Sequence, residues 1–385
     1  MIVFVQERPI EILPPVISLL KVLKDLGEDI VYFGMVKTET SICILEEIGV
    51  RYELYPYELI CFRDHPVRRC WQKITQWIRP YMFRFWIWNK IKKFHNEGKG
   101  ILLWSSEMRT AAVLGNRALK FGKKHIQSLY ELGDEDGKNC IGFDINKFYH
   151  SATLIECEYN RAHILRAEKN LVRLPFVLPN KPYAHPRKRK LIVTDSNAAS
   201  IVATWNGKKV FLYQGGIQSD RGSLLKMIEG LCVSQPNAVI AIMGRKTSSV
   251  DALIKKYSNI SYVPFVNPPH HLEITSHADV GIAYYQGGAV FGLSPLNPVY
   301  CAPNKIFEYT GFGIPLICND IPGLKYTIES AKAGVCLREL SEELVANSVH
   351  DILDNYGEYS KRAEMFFDSV DIVAEIEQIL AFARS

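Results

Sequence analysis

No stretch of the 385-residue chain stays apolar for the roughly 18–20 residues that a membrane-spanning helix requires, so no such span is expected. The opening MIVFVQERPI has neither a positively charged leader nor a small-residue cleavage site, and it reads as a first strand, not as a signal peptide. The nine cysteines form no C-x-x-C pair, and no His/Cys cluster has zinc spacing. A disulfide framework and a structural metal are therefore not expected. Cys43, Cys157, Cys232 and Cys318 stand in apolar contexts, as reduced and buried thiols do. No G-x-G-x-x-G follows the first strand, which argues against a dinucleotide site there.

What is present fits a globular protein with two cores. Hydrophobic residues make up 48% and charged residues 23%, with a net charge of +5. The first half alternates strand and helix. Strands are expected at Ile2–Val5, Ile30–Phe33, Val50–Tyr55, Ile101–Trp104 and Ile126–Tyr130. Helices are expected at Glu11–Leu26, Ser41–Ile48 and from Glu107 to about Lys120. Such alternation predicts a parallel sheet covered on both faces. Gln6-Glu7-Arg8-Pro9 would lie at the carboxyl end of a strand, where these sheets bind ligands. Four prolines in twelve residues (175, 179, 182 and 186), followed by Arg187-Lys188-Arg189-Lys190, read as an interdomain linker. The alternation then restarts, with strands at Lys209–Tyr213, Ala238–Met243, Ile260–Val263 and Asp279–Tyr284 and a last helix at about Glu358–Phe382. The expected domains are 1–185, 186–357 and a C-terminal helix, 358–385.

Charge is unevenly spread. Ten basic residues lie between Arg63 and Lys99 against Asp64 and Glu97, a local balance of +8. Trp71, Trp77, Trp86 and Trp88 interleave with them, with Tyr81, Phe83, Phe85 and Phe94. Aromatic rings and long cationic side chains suit the headgroup layer of an anionic bilayer. A helix packed on its own domain, with a solvated basic face, fits the same residues. No recognition motif for nucleic acid accompanies the charge.

Ala302–Leu324, APNKIFEYTGFGIPLICNDIPGL, reads as helix, turn and buried strand. Gly311 and Gly313 are expected to end the helix in left-handed conformations, and Ile314–Cys318 is the strand. Glu308 falls among core-facing residues and needs a partner there, because a buried carboxylate without one is costly. Gln214 to Gly222, with Gly215 and Gly216, is a glycine-rich loop into a helix that starts near Ser223. Such a helix end is a ready anion site, and Arg221 is placed to grip a phosphate.

P-N-K-x-F-E-Y followed by G-x-P-L-I resembles the nucleotide-sugar motif of bacterial family 4 glycosyltransferases, which are retaining enzymes of the GT-B fold. N-R-A at 160–162 and L-P-N-K-P at 178–182 are similar to the same family. The resemblance is strongest from Lys209 to Leu324. It implies two Rossmann-like domains facing a cleft, with a C-terminal helix crossing back to the first. It implies transfer of a sugar from a nucleotide-diphosphate donor, with no cofactor and no metal. Glu308 would accept hydrogen bonds from the donor ribose. Gly215, Gly216, Arg221 and Gly222 would form the diphosphate loop, with Lys305 or Arg245 as a second cation. The base would lie at Phe265 and Val266, and Asn304 belongs to the donor motif. Gly287 and Gly288 would approach the donor sugar. Arg221 and Lys305 would carry the catalytic charge, and Glu131 would contact the acceptor or the transferred sugar, whereas His125 would be structural. The family's second glutamate is Tyr300 here, and its second phosphate-binding cation is Gly216.

With the basic aromatic segment, the resemblance implies a lipid-linked glycan acceptor in surface polysaccharide assembly. The implied location is the cytoplasm, peripheral on the inner face of the cell membrane and without nucleic acid. Two other readings stay open: a GT-B sugar-nucleotide epimerase or hydrolase, and a degenerate binding module.

Overall fold

The structure, a computed structural model, describes residues 1–56, 66–98, 100–133, 142–217, 222–285 and 294–385. It divides into two compact units. The first holds Met1–Pro179, Ala289–Ser294 and Ile372–Ser385; the second holds Asn180–Gly288 and Pro295–Asp371.

The first unit is built on strands β1 (Ile2–Gln6), β2 (Ile30–Gly34), β3 (Arg51–Leu54), β4 (Leu102–Ser106), β5 (His125–Leu129), β6 (Thr153–Glu156) and β7 (Phe176–Val177). All neighbours run parallel, in the order β3-β2-β1-β4-β5-β6-β7. β1, β2, β4 and β5 are buried along their whole length, and β1 and β2 accordingly read as nearly continuous apolar runs, whereas β4 and β5 also bury Ser105, Ser106, His125, Gln127 and Ser128. The helices between them carry local signals. Thr38 caps the helix Glu39–Ile48 through its hydroxyl, which accepts from the Ser41 amide at 2.9 Å, and Gly49 ends it at φ 73°.

The second unit repeats the plan with β8 (Val210–Gln214), β9 (Val239–Gly244), β10 (Ile260–Pro264), β11 (Val280–Ala283), β12 (Leu316–Asn319) and β13 (Gly334–Leu337). Its parallel order is β10-β9-β8-β11-β12-β13. Each sheet therefore reverses winding at one place, between β1 and β4 in the first and between β8 and β11 in the second. In open α/β sheets the crevice outside the carboxyl ends at such a point is where ligands bind.

Several expectations are corrected. The helix from Glu107 stops at Leu114, not near Lys120, because Gly115 takes φ 69°; residues Gly115–Lys124 continue as 3-10 turns. A Cβ at Gly115 would stand 2.9 Å from the Arg84 guanidinium carbon. The C-terminal segment is two helices, Tyr356–Asp368 and Ile372–Arg384, and Lys181 Nζ donates to the Val370 carbonyl in the break at 2.6 Å. Gly311 is right-handed at φ −60°, and only Gly313 is left-handed, at 65°. Gly311 is required sterically instead, since a Cβ there would lie 2.7 Å from ring atoms of His185. The strand after it begins at Leu316 rather than Ile314. Cys43 is exposed, unlike Cys157, Cys232 and Cys318.

The run Arg187–Lys190 does not behave as a loose linker. Arg187 pairs with Asp368, while Arg189 donates to the carbonyls of Ser276 and Ala278 and to Tyr356 Oη. The basic aromatic segment is a 31-residue helix, Pro66–Asn96. Of its expected membrane-facing rings, Phe83 and Trp88 are core residues: Phe83 is fully buried, and Trp88 Nε1 donates to the Leu114 carbonyl at 2.9 Å. Trp86 packs against Phe33, Tyr55 and Phe83. The side chains of Trp71 and Trp77 lie outside the described residues.

Candidate functional site

In the second unit, the reversal between β8 and β11 is where the motif residues gather. The helix Asn304–Thr310 is seated on the sheet through Tyr309, whose hydroxyl donates to the Leu212 carbonyl of β8 at 2.7 Å. Its ring lies on Gly281 of β11, where a Cβ would come within 2.6 Å of ring carbons. That close approach, possible because Gly281 has no side chain, carries Lys305 and Glu308 to the end of β8.

Glu308 is only 8% exposed, and both carboxylate oxygens are engaged. His271 Nε2 lies 3.1 Å from Oε1. Gln214 Nε2 donates to Oε2, and Gln214 Oε1 in turn accepts from the Thr275 hydroxyl at 2.7 Å. Burial alone would push the Glu308 carboxyl up. His271, with help from Lys305 and His185, outweighs burial and holds it below the ordinary carboxylate value. The helix is held from behind by His185, whose Nε2 lies 3.0 Å from the Glu308 carbonyl oxygen. A carboxylate has about four lone-pair sites, so two hydrogen bonds leave room for two more.

Lys305 Nζ sits above two rings, 4.9 Å from the centroid of Tyr213 and 5.1 Å from that of Tyr285. It also lines Gly215, at which a Cβ would be 3.2 Å away. Gly215 (φ 138°) and Gly244 (φ 157°) end β8 and β9 back to back. The Gly215 amide donates to the Met243 carbonyl at 2.9 Å, and a Cβ on Gly244 would fall on the Gly215 carbonyl oxygen. The carboxyl end of the sheet at these two strands carries no side chain at Gly215 and Gly244.

The sequence-derived residues thus divide. Gly215, Lys305 and Glu308 come together, with Asn304 one position before Lys305 at the helix start and Gly216 exposed beside Gly215. Arg245 follows β9 and is exposed; Phe265 follows β10 and is exposed, while Val266 is packed against the core. Gly222 opens the helix Gly222–Ser234. Arg221, Gly287 and Gly288 lie outside the described residues. Tyr300 is partly buried, and its backbone packs on Gly323, where a Cβ would stand 2.6 Å from the Cys301 amide nitrogen. Sequence reading missed His271, Thr275 and His185, and took Gln214 only as the start of a loop. The signal for a partner was there, since a carboxylate among core residues requires one, but nothing in the spacing says which residue answers.

In the first unit, the reversal between β1 and β4 carries two ion pairs. Arg109 Nε lies 3.3 Å from Glu7 Oε1, and Arg8 Nη1 lies 3.1 Å from Glu107 Oε1. Both carboxylates are buried, and Glu107 takes φ 61°, unusual for a residue with a side chain. Glu131 is exposed two residues beyond the end of β5. His125 is buried, 2.7 Å from the Ser105 hydroxyl, and burial pushes its imidazole down to about 3. Glu156, at the end of β6, is buried with one carboxylate oxygen unpartnered, and burial pushes it up to about 8 against the pull of Arg161. Among the described residues, no group of three or more His, Cys, Asp or Glu is arranged to hold a metal ion.

No protein-family model matches the chain, and no curated protein sequence matches it either. Solved structures do. HepE from Anabaena, in complex with UDP and glucose, aligns at a TM-score of 0.66 and 10% identity, over 100% of this chain and 99% of that one. Sucrose-phosphate synthase from Thermosynechococcus elongatus aligns at 0.61 and 12% identity, over 100% of both chains. MurG from Acinetobacter baumannii aligns at 0.51 and 11% identity, over 100% and 99%. At these identities the likeness is one of fold, and the fold of this chain is GT-B, with two Rossmann-like domains.

Proposed function

We propose that the protein is a glycosyltransferase that moves a sugar from a nucleotide-diphosphate donor to an acceptor, with retention at the anomeric carbon. The observation that carries this reading is Glu308. It is a buried carboxylate held ionised at the sheet's reversal point, next to Lys305 and the bare strand end at Gly215. Such a group suits the ribose hydroxyls of a nucleotide, each of which can donate to a free lone pair. HepE and its complex with UDP and glucose support a uracil nucleotide as the first to try.

The chemical task is to stabilise a departing diphosphate while the anomeric carbon takes on oxocarbenium character. Lys305 and Arg221, with the amino end of the helix Gly222–Ser234, offset the charge that develops on the phosphate oxygens. This supply of positive charge needs no metal ion. The bond from the anomeric carbon to the diphosphate breaks, the acceptor oxygen bonds to the same face, and the leaving phosphate takes the acceptor proton. Arg245, Phe265 and Val266 are proposed to border the phosphates and base, and Glu131 the acceptor or transferred sugar. The acceptor we propose is a lipid-linked glycan in surface polysaccharide assembly, met at the inner face of the cell membrane.

Melting the wild type and Glu308→Ala with UDP, GDP, ADP and, as control, CMP tests the donor site. A ligand that binds only the folded state raises the melting temperature. A rise with one diphosphate that disappears in Glu308→Ala is the expected result. No rise with any nucleotide would move the reading to a binding module without catalysis.

A further inference from the structure

The helix Pro66–Asn96 has two faces that do different things. One is core: Phe83, Ile87, Trp88 and Ile91 are buried. Two of its cations also point to backbone: Arg79 donates to the Met35 carbonyl at 2.7 Å, and Arg84 to the carbonyls of Val113 and Ala112 at 2.6 and 2.8 Å. Lys90 pairs with Glu53. The other face follows the 4-3-4-3-4 spacing of a single helical stripe: Ile78, Met82, Phe85, Asn89, Lys92 and Asn96, every one of them exposed. Its first half is apolar, with Ile78 at 43%, Met82 at 45% and Phe85 at 71% exposure. Beside it lies a groove of about 570 Å³ lined by Tyr55, Pro56, Tyr81, Met82, Phe85 and Trp86. The helix contains eight lysines and arginines and no aspartate or glutamate over its 31 residues. Lys92 and Lys93 are exposed, and neither has an ion-pair partner among the described residues.

We infer that this stripe docks on an anionic lipid bilayer, with Ile78, Met82 and Phe85 entering the headgroup–acyl boundary and Lys92 and Lys93 at the lipid phosphates. Charge selects the occupant. A second copy of the helix laid on this face would set Lys92 and Lys93 against their own like, with no aspartate or glutamate of the helix to pair them, so the surface does not suit self-pairing. A nucleic acid would meet the cations and leave the apolar half of the stripe without a counterpart. A bilayer of anionic lipid answers both halves. The helix is not apolar enough to cross, so the contact lies in the plane of the surface. Of the two readings of this segment, packing on its own domain is seen on one face of the helix, and docking on a bilayer is what we infer for the other. The inference rests on the proposed lipid-linked acceptor for its purpose, but not for its physical basis.

The test is co-flotation of the full chain with vesicles of phosphatidylcholine alone or mixed with phosphatidylglycerol. Wild type should float with the anionic vesicles only and be released by salt. Met82→Ser with Phe85→Ser should lower partition at least about tenfold. Lys92→Gln with Lys93→Gln should lower it about fivefold for each lysine removed. Both double variants should keep the melting temperature and the nucleotide response of wild type, which separates loss of docking from loss of fold. The inference is overturned if wild type does not float, or if the serine pair floats as well as wild type. It is overturned equally if the stripe variants change self-association or RNA binding while flotation stays the same. A nucleotide response without flotation would sink this inference and leave the transferase reading standing; flotation without a nucleotide response would do the reverse.

Discussion

Glu308 Oε1 and His271 Nε2 lie 3.1 Å apart, and the two residues, 37 positions apart in sequence, come from two helices that meet beside the end of β8. The contact turns a buried carboxylate from a liability into a fixed acceptor.

Removing His271 leaves that carboxylate buried with half its support. His271→Ala should cost about 3 kcal/mol in denaturant unfolding, and the double variant His271→Ala/Glu308→Gln should recover part of the loss. With Glu308→Gln measured alone, losses that simply add in the double variant would mean that the pair is not coupled.

The same carboxylate has a pH signature. Its folded value is held below the ordinary 4.5, so its stabilising contribution is present above that pH and is lost as pH falls through the folded value. Wild type should therefore lose more stability than Glu308→Gln as pH falls below the ordinary 4.5. Parallel curves for the two proteins would count against the ionised state.

Lys305 is expected to act on the leaving diphosphate. Lys305→Ala should lower kcat/KM for the donor by about 10²–10³ and shrink the diphosphate-induced rise in melting temperature. If both stay at wild-type levels, the charge is supplied elsewhere.

Glu156 behaves in the opposite sense to Glu308. Its folded value, raised to about 8 by burial, means the folded chain keeps the proton. Its contribution is complete below the ordinary 4.5 and is lost as pH rises through 8. Glu156→Gln should raise the melting temperature by about 3 °C or more at pH 8.5 and change it little at pH 4.5. A uniform effect at both pH values would contradict the assignment.

Gly311 gives a purely steric test, because its backbone is ordinary right-handed helix. Gly311→Ala should cost about 1–3 kcal/mol through the His185 ring, and His185→Ala in the same chain should remove most of that increment. At Gly313, where φ is 65° and a Cβ would also stand 2.8 Å from Ser360 Oγ, alanine should cost at least about 1–2 kcal/mol with or without His185.

Much of this architecture was legible because buried parallel strands are short continuous apolar runs. Ile2–Gln6 and Ile30–Gly34 have no polar alternation to blur them. Thr153–Glu156 escaped notice: it is four residues long and ends in a glutamate that burial keeps protonated and neutral. The helix Ser196–Ala203 was missed as well, since SNAASIVA has little apolar periodicity. At the site, the residues of the 302–324 motif were legible by local pattern. His271 and Gln214 were not, because their contact with Glu308 exists only once β8 and two separate helices are folded together. The membrane-facing reading of Trp88 failed for a related reason: composition counts rings, but only packing tells which face of a helix they occupy.

The pinned run Arg187–Lys190 bears on how the chain meets a protease. Four consecutive basic residues are the obvious target for trypsin, yet the guanidinium groups of Arg187 and Arg189 are already spent on Asp368, Tyr356 and two backbone carbonyls, while the side chains of Lys188 and Lys190 are exposed. Cleavage within the run should therefore fall after the lysines and spare the arginines.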